Sequence, residues 1–522
     1  MNLHATNVFR QGYDFLYPKP SVSNLSANTQ QTSGTVLALT AGLITAQIIA
    51  TVHVFRSNQH IYRQTAALAE TGYLTVPNPL TATQLLQVDS ALAGGLFFTL
   101  SAGAALSLLS LAAAWLWVHA FARSRRVGFG FGLLLAAGLF LVNRDGFNPA
   151  ASAYLMLVPT VVFWRYARRS RNAVPSPVTA PLVGLGLLAA GWGVAAGPNL
   201  FLDVRDTLLL SNPVGIAVND FYYRNTLFAA EAFKSPGQRL QKACALSGET
   251  DTAEGMLLER SLRNQDWLAV TDSQAVVSTV GLQNRKVFVY HRKRLVLERP
   301  LAEMLSRPGD VLAEFSRAVD RWAAFRSLCY FGILLALPTL LYTALYLALQ
   351  TAAKPWCRKP VAAWLSAGIC VAAGLAALVP ALMLTTTLTD VRTISRALNS
   401  DSGLQRDAAL KSVVREKLEI TDFPAYRHTL QSNRLSERYW AARALGVSRN
   451  PATVDELMRL LDDPHPNVVC QALAAIGRRK VAGAAPRIQT LLATSNHWYV
   501  QRYGYIALRS LGWTQPALTT AP

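Results

Sequence analysis

Long apolar runs, separated by arginine-rich connectors or by prolines, occupy residues 35–55, 91–122, 127–142, 150–164, 178–197, 327–349 and 361–388. A helix needs about 17–25 apolar residues to cross roughly 30 Å of hydrocarbon, so each run reads as a membrane span, the third and fourth near the lower limit. The second is long enough to tilt or overshoot. The third and fourth, joined by 143–149, form a tight helical hairpin. Residues 56–90 are mixed: a short amphipathic helix is expected over 60–70. After it Val76-Pro77-Asn78-Pro79 stops any helix and predicts a structured loop on the membrane surface. Pro338 and Pro380 predict kinks inside the last two spans. The GxxxG spacings Gly128/Gly132 and Gly193/Gly197 predict close helix packing.

Two stretches break this pattern. Residues 198–324 have globular composition. Within them 218–234 reads as a helix with Val218, Phe221, Tyr222, Phe228 and Ala232 on one face, and Asp220 four residues before Arg224 in the favourable order. The β-branched, alternating region 274–298 reads as strands, and 310–325 as a helix running straight into the next span. A small α/β or α+β domain is therefore expected between two membrane helices. Beyond 389 the chain is again water-soluble and helical, and a motif recurs in it. Trp440-Ala441-Ala442-Arg443-Ala444-Leu445-Gly446, Ala472-Leu473-Ala474-Ala475-Ile476-Gly477 and Ile506-Ala507-Leu508-Arg509-Ser510-Leu511-Gly512 return about every 30–35 residues, the scale of stacked helix pairs. Each copy follows a polar turn such as Asp462-Asp463-Pro464-His465-Pro466-Asn467 and is accompanied by a second amphipathic helix, over 454–461 or 485–492.

This pattern resembles HEAT-like repeats of the phycobilisome-lyase group, over about the last 85–110 residues. The resemblance implies an α-solenoid that offers protein-binding surfaces; no catalytic residue of the bilin lyases can be matched. The expected fold is mainly α: a polytopic helical membrane protein of about seven spans with an inserted small α/β or α+β domain and a C-terminal α-solenoid. Its divisions are a polar segment 1–34, a five-span region 35–197, an extracytoplasmic domain 198–324, a two-span hairpin 325–388 and a repeat domain 389–522.

Composition agrees with the pattern and adds sidedness. Of 522 residues 51% are hydrophobic and only 15% charged, against about a quarter charged in ordinary soluble domains. The net charge of +20 would suggest nucleic acid in a soluble chain, but many of the basic residues sit in short loops beside apolar runs, so no nucleic-acid partner is expected. Basic connectors mark the cytoplasmic face. The clusters at 123–126, 165–171 and 354–359 each lie between an even span and the following odd one. This puts the N-terminus inside and both folded modules outside, in the periplasm if the host is bacterial. The polar first 34 residues precede an uncleaved anchor rather than a signal peptide. Cys244 and Cys470, one in each outer module, could pair as a disulfide by their count alone, but two separate buried thiols are the favoured expectation.

Candidate chemistry is sparse. His53, His60 and His119 stand near membrane depth or its edge, but His53 and His119 fall at opposite ends of their spans, which argues against a shared haem. No acidic residue lies in the span cores, and no nucleotide-binding, zinc-protease or serine-hydrolase motif is present. No cofactor and no metal are expected. The polar-aromatic cluster Asp220, Tyr222, Tyr223, Arg224 and, in the repeats, Trp440, His497, Trp498 and Tyr499 are candidate partner-binding residues. Arg292-Lys293-Arg294 reads as a solvated turn rather than an anion site. The function expected is a non-enzymatic membrane scaffold that holds a protein partner at the bilayer. The alternative is a permease or assembly factor for a hydrophobic, lipid-like substrate, and a membrane enzyme with scattered catalytic residues stands third.

Overall fold

The computed structural model describes residues 22–170, 178–195, 197, 200–353, 355–385, 388 and 390–517. The polar segment before residue 22, and Arg171 and Lys354 of the basic connectors, lie outside the described residues. The first helices are α1 (Val22–Glu70), α2 (Val88–Ala120), α3 (Arg125–Asn143), α4 (Pro149–Arg169) and α5 (Thr179–Val194). Helix α1 absorbs the separate helix expected at 60–70: no glycine or proline stands between Leu43 and Glu70, so nothing ends it at Arg56.

Next come α6 (Leu200–Val204), continued by the π-helical turn Arg205–Leu209, and α7 (Pro213–Ala232). Helix α7 exists as expected, but its apolar residues do not share a face. Phe228 and Ala232 are buried with Leu227 and Ala229, whereas Val218, Phe221 and Tyr222 are exposed. The helix lies on the end of the bundle, with Phe228 and Ala229 against Gly94 of α2.

The sheet domain begins at β1 (Lys242–Gly248) and proceeds through α8 (Ala253–Asn264), β2 (Trp267–Ala269), β3 (Ser278–Gln283), β4 (Lys286–His291) and β5 (Arg294–Pro300) to α9 (Leu301–Ser306) and α10 (Pro308–Ala318). The order is β2-β1-β3-β4-β5, with β2 and β3 parallel to β1 and the rest antiparallel. Alternation assigns the faces. Cys244, Val280, Val287, Val289, Leu297 and Phe315 form one core. Ala243, Leu268 and Val270 turn the other way, onto Ala67, Leu68 and Tyr73 at the end of α1. The sheet therefore sits on a helix that rises out of the bundle.

Helices α11 (Ala323–Ala353) and α12 (Lys359–Thr385) complete the bundle. The break at 319–322 separates α10 from α11, where an unbroken run was expected. Residues 34–70 and 359–379, with α2, α3 and α11, make five helices long and apolar enough to cross a membrane. Helix α4 carries Pro159 and three arginines, and α5 has only 16 residues. Pro338 lacks the N–H that residue 334 would accept from, and a π-helical turn, Gly332–Ala336, lies just before it. That turn meets another in α2, Thr99–Gly103, so closely that a Cβ on Gly332 would lie 2.5 Å from the Ser101 carbonyl oxygen. Of the expected GxxxG glycines, Gly128 faces the Trp117 indole, 3.3 Å from a Cβ built there, and nothing lies within 4 Å of a Cβ built at Gly132, Gly193 or Gly197. The bundle's two ends differ. Arg123 donates to the Ala167 carbonyl (2.9 Å) at one, and Asn148 to the Arg321 carbonyl (3.2 Å) at the other, beside the sheet domain.

The repeats are α13 (Val391–Leu398), α14 (Gly403–Glu416), α15 (Tyr426–Leu430), α16 (Leu435–Leu445), α17 (Val454–Arg459), α18 (Pro466–Arg479), α19 (Ala485–Thr494) and α20 (Trp498–Ser510). Their small residues allow close stacking: Ala441, Ala442, Ala444, Ala472 and Ala475 are at most 1% exposed. A polar device repeats as well. Arg406 pairs with Glu437 (2.8 Å) of the next unit, and Arg438 with Asp463 (2.8 Å) of the one after.

Candidate functional site at the repeat–bundle junction

The inner helices of the solenoid do not face open solvent; they grip the chain's own α6 and α7. At the first contact Asp206, 2% exposed, is held on three sides. Arg205 Nη2 approaches it at 2.7 Å, Lys411 Nζ at 2.8 Å, and the Trp440 indole N–H donates to Oδ2 at 2.7 Å. Lys411 also pairs with the buried Asp203 at 2.6 Å. Arg205 lies 4.3 Å from the Tyr439 ring centroid, and Arg443 the same distance from Trp440. Buried charges are tolerated when paired and hydrogen-bonded, and here two carboxylates meet two cations and an indole.

The second contact joins α7 to α18 and α20. The Asn467 N–H donates to His465 Nδ1 (3.3 Å), which leaves the ring proton on Nε2, 2.9 Å from Asp220 Oδ1. Burial holds the His465 imidazole below its usual range even with that carboxylate beside it. The buried Trp498 donates to the Tyr223 carbonyl (3.2 Å), and the Tyr223 and Tyr499 rings meet edge-on at 4.7 Å. His497 is half-buried, and burial, aided by the charge of Arg224, pushes it down to about 4.

The third contact reaches the loop expected at the membrane surface. Asn78 accepts from the Thr81 N–H (2.9 Å), capping its own short helix, and donates to the carbonyls of Leu492 (2.9 Å), Ala493 (3.2 Å) and Ser495 (2.9 Å), which closes the end of α19. Gln501 receives the Asn78 backbone N–H at 2.9 Å. Nearby, Tyr505 donates to Asp266 (2.6 Å), tying α20 to the sheet domain.

Of the sequence-derived candidates, then, Asp220, Tyr223, Trp440, Trp498 and Tyr499 are engaged with other parts of this chain, and Tyr222 and Arg224 are exposed. Asp220 meets His465 rather than the expected Arg224. Sequence reasoning missed Asp203, Asp206, Lys411 and Asn78. The one available signal was the charged group Asp203, Arg205 and Asp206 inside the mostly apolar Leu200–Leu210.

A cavity of about 140 Å³ opens where the sheet domain meets α1 and the start of α11. Arg239, Lys242, Arg292, Arg321, His60 and His291 line it, with Asp320. Burial, then the charges of Arg292, Arg321 and Arg239, push His291 down to about 4. The turn at Arg292-Lys293 is present as expected, but Arg292 lines this cavity rather than standing only in solvent.

The described thiols are unpaired, with Cys244 and Cys470 buried in separate cores. Among the described residues no group of three or more His, Cys, Asp or Glu could hold a metal ion. Residues 428–509 match the HEAT-repeat family. No curated protein and no solved structure matches the chain. The match covers that C-terminal segment, a helical-repeat type that suggests protein–protein interaction, and does not extend to the bundle or the sheet domain.

Proposed function

We propose that this protein is an integral membrane scaffold of seven spans, with the sheet domain and the repeats together on the extracytoplasmic side. In this reading the solenoid is fixed to the membrane module and presents a composite surface to a protein partner. The observation that carries it is the arrangement of the bundle. Its outward residues are large and apolar: Ile48, Leu109, Phe129, Leu134, Phe140 and Leu335 are all more than half exposed, as a lipid-facing belt requires. The basic end near Arg123 and Arg165–Arg169 is opposite the folded modules, as the positive-inside rule asks of an extracytoplasmic domain. With the inner helices occupied, the partner surface falls on the exposed part of α7, where Val218, Phe221, Tyr222 and Arg224 stand beside the repeats.

One experiment tests both halves of this reading. A photo-crosslinking residue is placed at Tyr222 or, as control, at Arg487 on the outer helix α19, in a chain carrying a compartment-sensitive reporter after Pro522. The expected result is reporter activity outside the cytosol and a discrete protein adduct from position 222 alone. Reporter activity confined to the cytosol, or adducts of the same kind from both positions, would overturn it.

A further inference from the structure

We propose that the basic cavity between the sheet domain and the bundle is a binding site for a phosphate-bearing ligand. Three guanidinium groups converge on it: Arg239 from the approach to β1, Arg292 from the β4–β5 turn and Arg321 from the break before α11, while the two lysines of the lining are engaged elsewhere, Lys242 with the Gln265 carbonyl (3.2 Å) and Lys234 with Glu231 (2.5 Å). Their negative complement is missing. The one carboxylate in the lining, Asp320, is already chelated by Arg326, through Nη1 at 3.0 Å and through Nη2, and accepts the Trp322 N–H at 3.0 Å. Among the described residues neither the Arg292 nor the Arg321 guanidinium has an ion-pair or hydrogen-bond partner, although the Arg292 N–H donates to the Val277 carbonyl (2.7 Å) and the Arg321 carbonyl accepts from Asn148 (3.2 Å). Arg239 spends one nitrogen on Gln64 (2.9 Å) and keeps its buried Nε unpartnered. Arg239 and Arg321 are half-buried and Arg292 stands exposed at the mouth, so the positive charge faces the opening without a carboxylate to meet it.

The backbone points the same way. Arg292 and Lys293 form a two-residue hairpin turn with φ of +51° and +65°, a conformation that favours asparagine or glycine and disfavours long side chains. The Asn284-Arg285 turn of the neighbouring hairpin has the same left-handed pair, so the conformation belongs to the tight turn itself; its consequence here is to set Arg292 at the edge of a void already positive. The void holds about four or five waters by volume, enough for a phosphate and the start of its ester. Guanidinium forks match phosphate oxygens two at a time. The ligand chemistry is therefore a phosphate ester, supplied either by a lipid headgroup, since the site lies next to Trp322 at the start of α11, or by a soluble molecule.

The test uses the full-length protein in a phosphate-free sugar detergent at fixed salt, with thermal stability and calorimetric titration as readouts. One arm adds glycerol 3-phosphate, the other short-chain phosphatidic acid. Saturable stabilisation in the first arm identifies a soluble phosphate ester, and in the second alone a lipid headgroup. Arg292→Gln and Arg321→Gln should each weaken binding about tenfold, while Arg285→Gln, on the neighbouring hairpin and paired with Glu254, leaves it unchanged. Without ligand, the two cavity variants should melt no lower than the parent, because each removes a repulsion. Neither arm binding, equal loss with Arg285→Gln, or cavity variants that melt several degrees lower without ligand would each overturn the proposal.

Discussion

Asp206→Ala tests the attachment of the repeats most directly. The carboxylate is 2% exposed and receives Arg205, Lys411 and the Trp440 indole. Its loss leaves two buried cations and an N–H short of an acceptor, and Lys411 keeps only Asp203. Removing one partner of a buried ion pair costs about 3–5 kcal/mol, most of it the desolvation of what remains. The indole N–H adds about 1 kcal/mol. For a module of this size a loss near 4 kcal/mol lowers the melting temperature by on the order of 10 °C. The assay is thermal unfolding in detergent, together with amide exchange across α14, α16 and α18. Exchange should rise there and stay unchanged in the sheet strands β3 and β4. The control is Asp462→Ala, whose pair with Arg487 is more than half exposed on both sides and worth under about 1 kcal/mol. Should Asp206→Ala cost no more than Asp462→Ala, the claim that this ionic cluster fastens the solenoid is wrong.

Asn78→Ala strips the end of α19 of its cap and the short Pro79–Ala82 helix of its own, at about 2–3 kcal/mol; faster amide exchange over 485–510 is the readout. Gly332→Ala forces a methyl to within 2.5 Å of a backbone carbonyl that cannot swing away, and should cost about 1–3 kcal/mol in thermal stability of the bundle. Asp407, 1% exposed, is pushed up to about 7, first by burial and then by the charge of Asp206, against the Ser436 hydrogen bond. An acid raised from 3.8 favours folding fully below about 4 and loses that contribution as pH rises through 7. The advantage of Asp407→Asn over the parent should therefore grow by up to about 4 kcal/mol between pH 4 and 8; a pH-independent difference would refute the assignment.

What was legible in the sequence was whatever repeats locally. Apolar runs marked the helices, and the alanine-rich motif ending in glycine marked the solenoid, because close stacking requires small side chains in each copy. Helix ends were harder: α1 runs past Arg56 because a charge after an apolar run does not end a helix, whereas Thr71-Gly72 does. Strands β1 and β2 escaped notice because Lys242–Gly248 contains alanine, cysteine and a single leucine, and Trp267–Ala269 is three residues long. The ionic fastening was out of reach for another reason. Asp206 and Lys411 are separated by the whole sheet domain and two long apolar helices, and nothing local to either announces the other. The same holds for Arg239, Arg292 and Arg321, which converge only because β1, the β4–β5 turn and the start of α11 meet at one corner.

The occupied inner face changes what scaffold means for this chain. A solenoid that takes a partner along its inner helices must first release α6 and α7, which would expose Asp203, Asp206 and Lys411 together and open the Trp498–Tyr223 contact. At about 4 kcal/mol for the ionic cluster alone, a competing partner would lose roughly a thousandfold in affinity to that release. Binding that leaves the fastening intact avoids the loss, and the surface then available joins the exposed residues of α7 to the adjacent rim of the repeats. Amide exchange on the partner complex separates the two routes. Protection of α7 around Tyr222 with α14 and α16 unchanged means the composite surface is used; deprotection around Lys411 and Trp440 means the fastening is a latch that the partner opens.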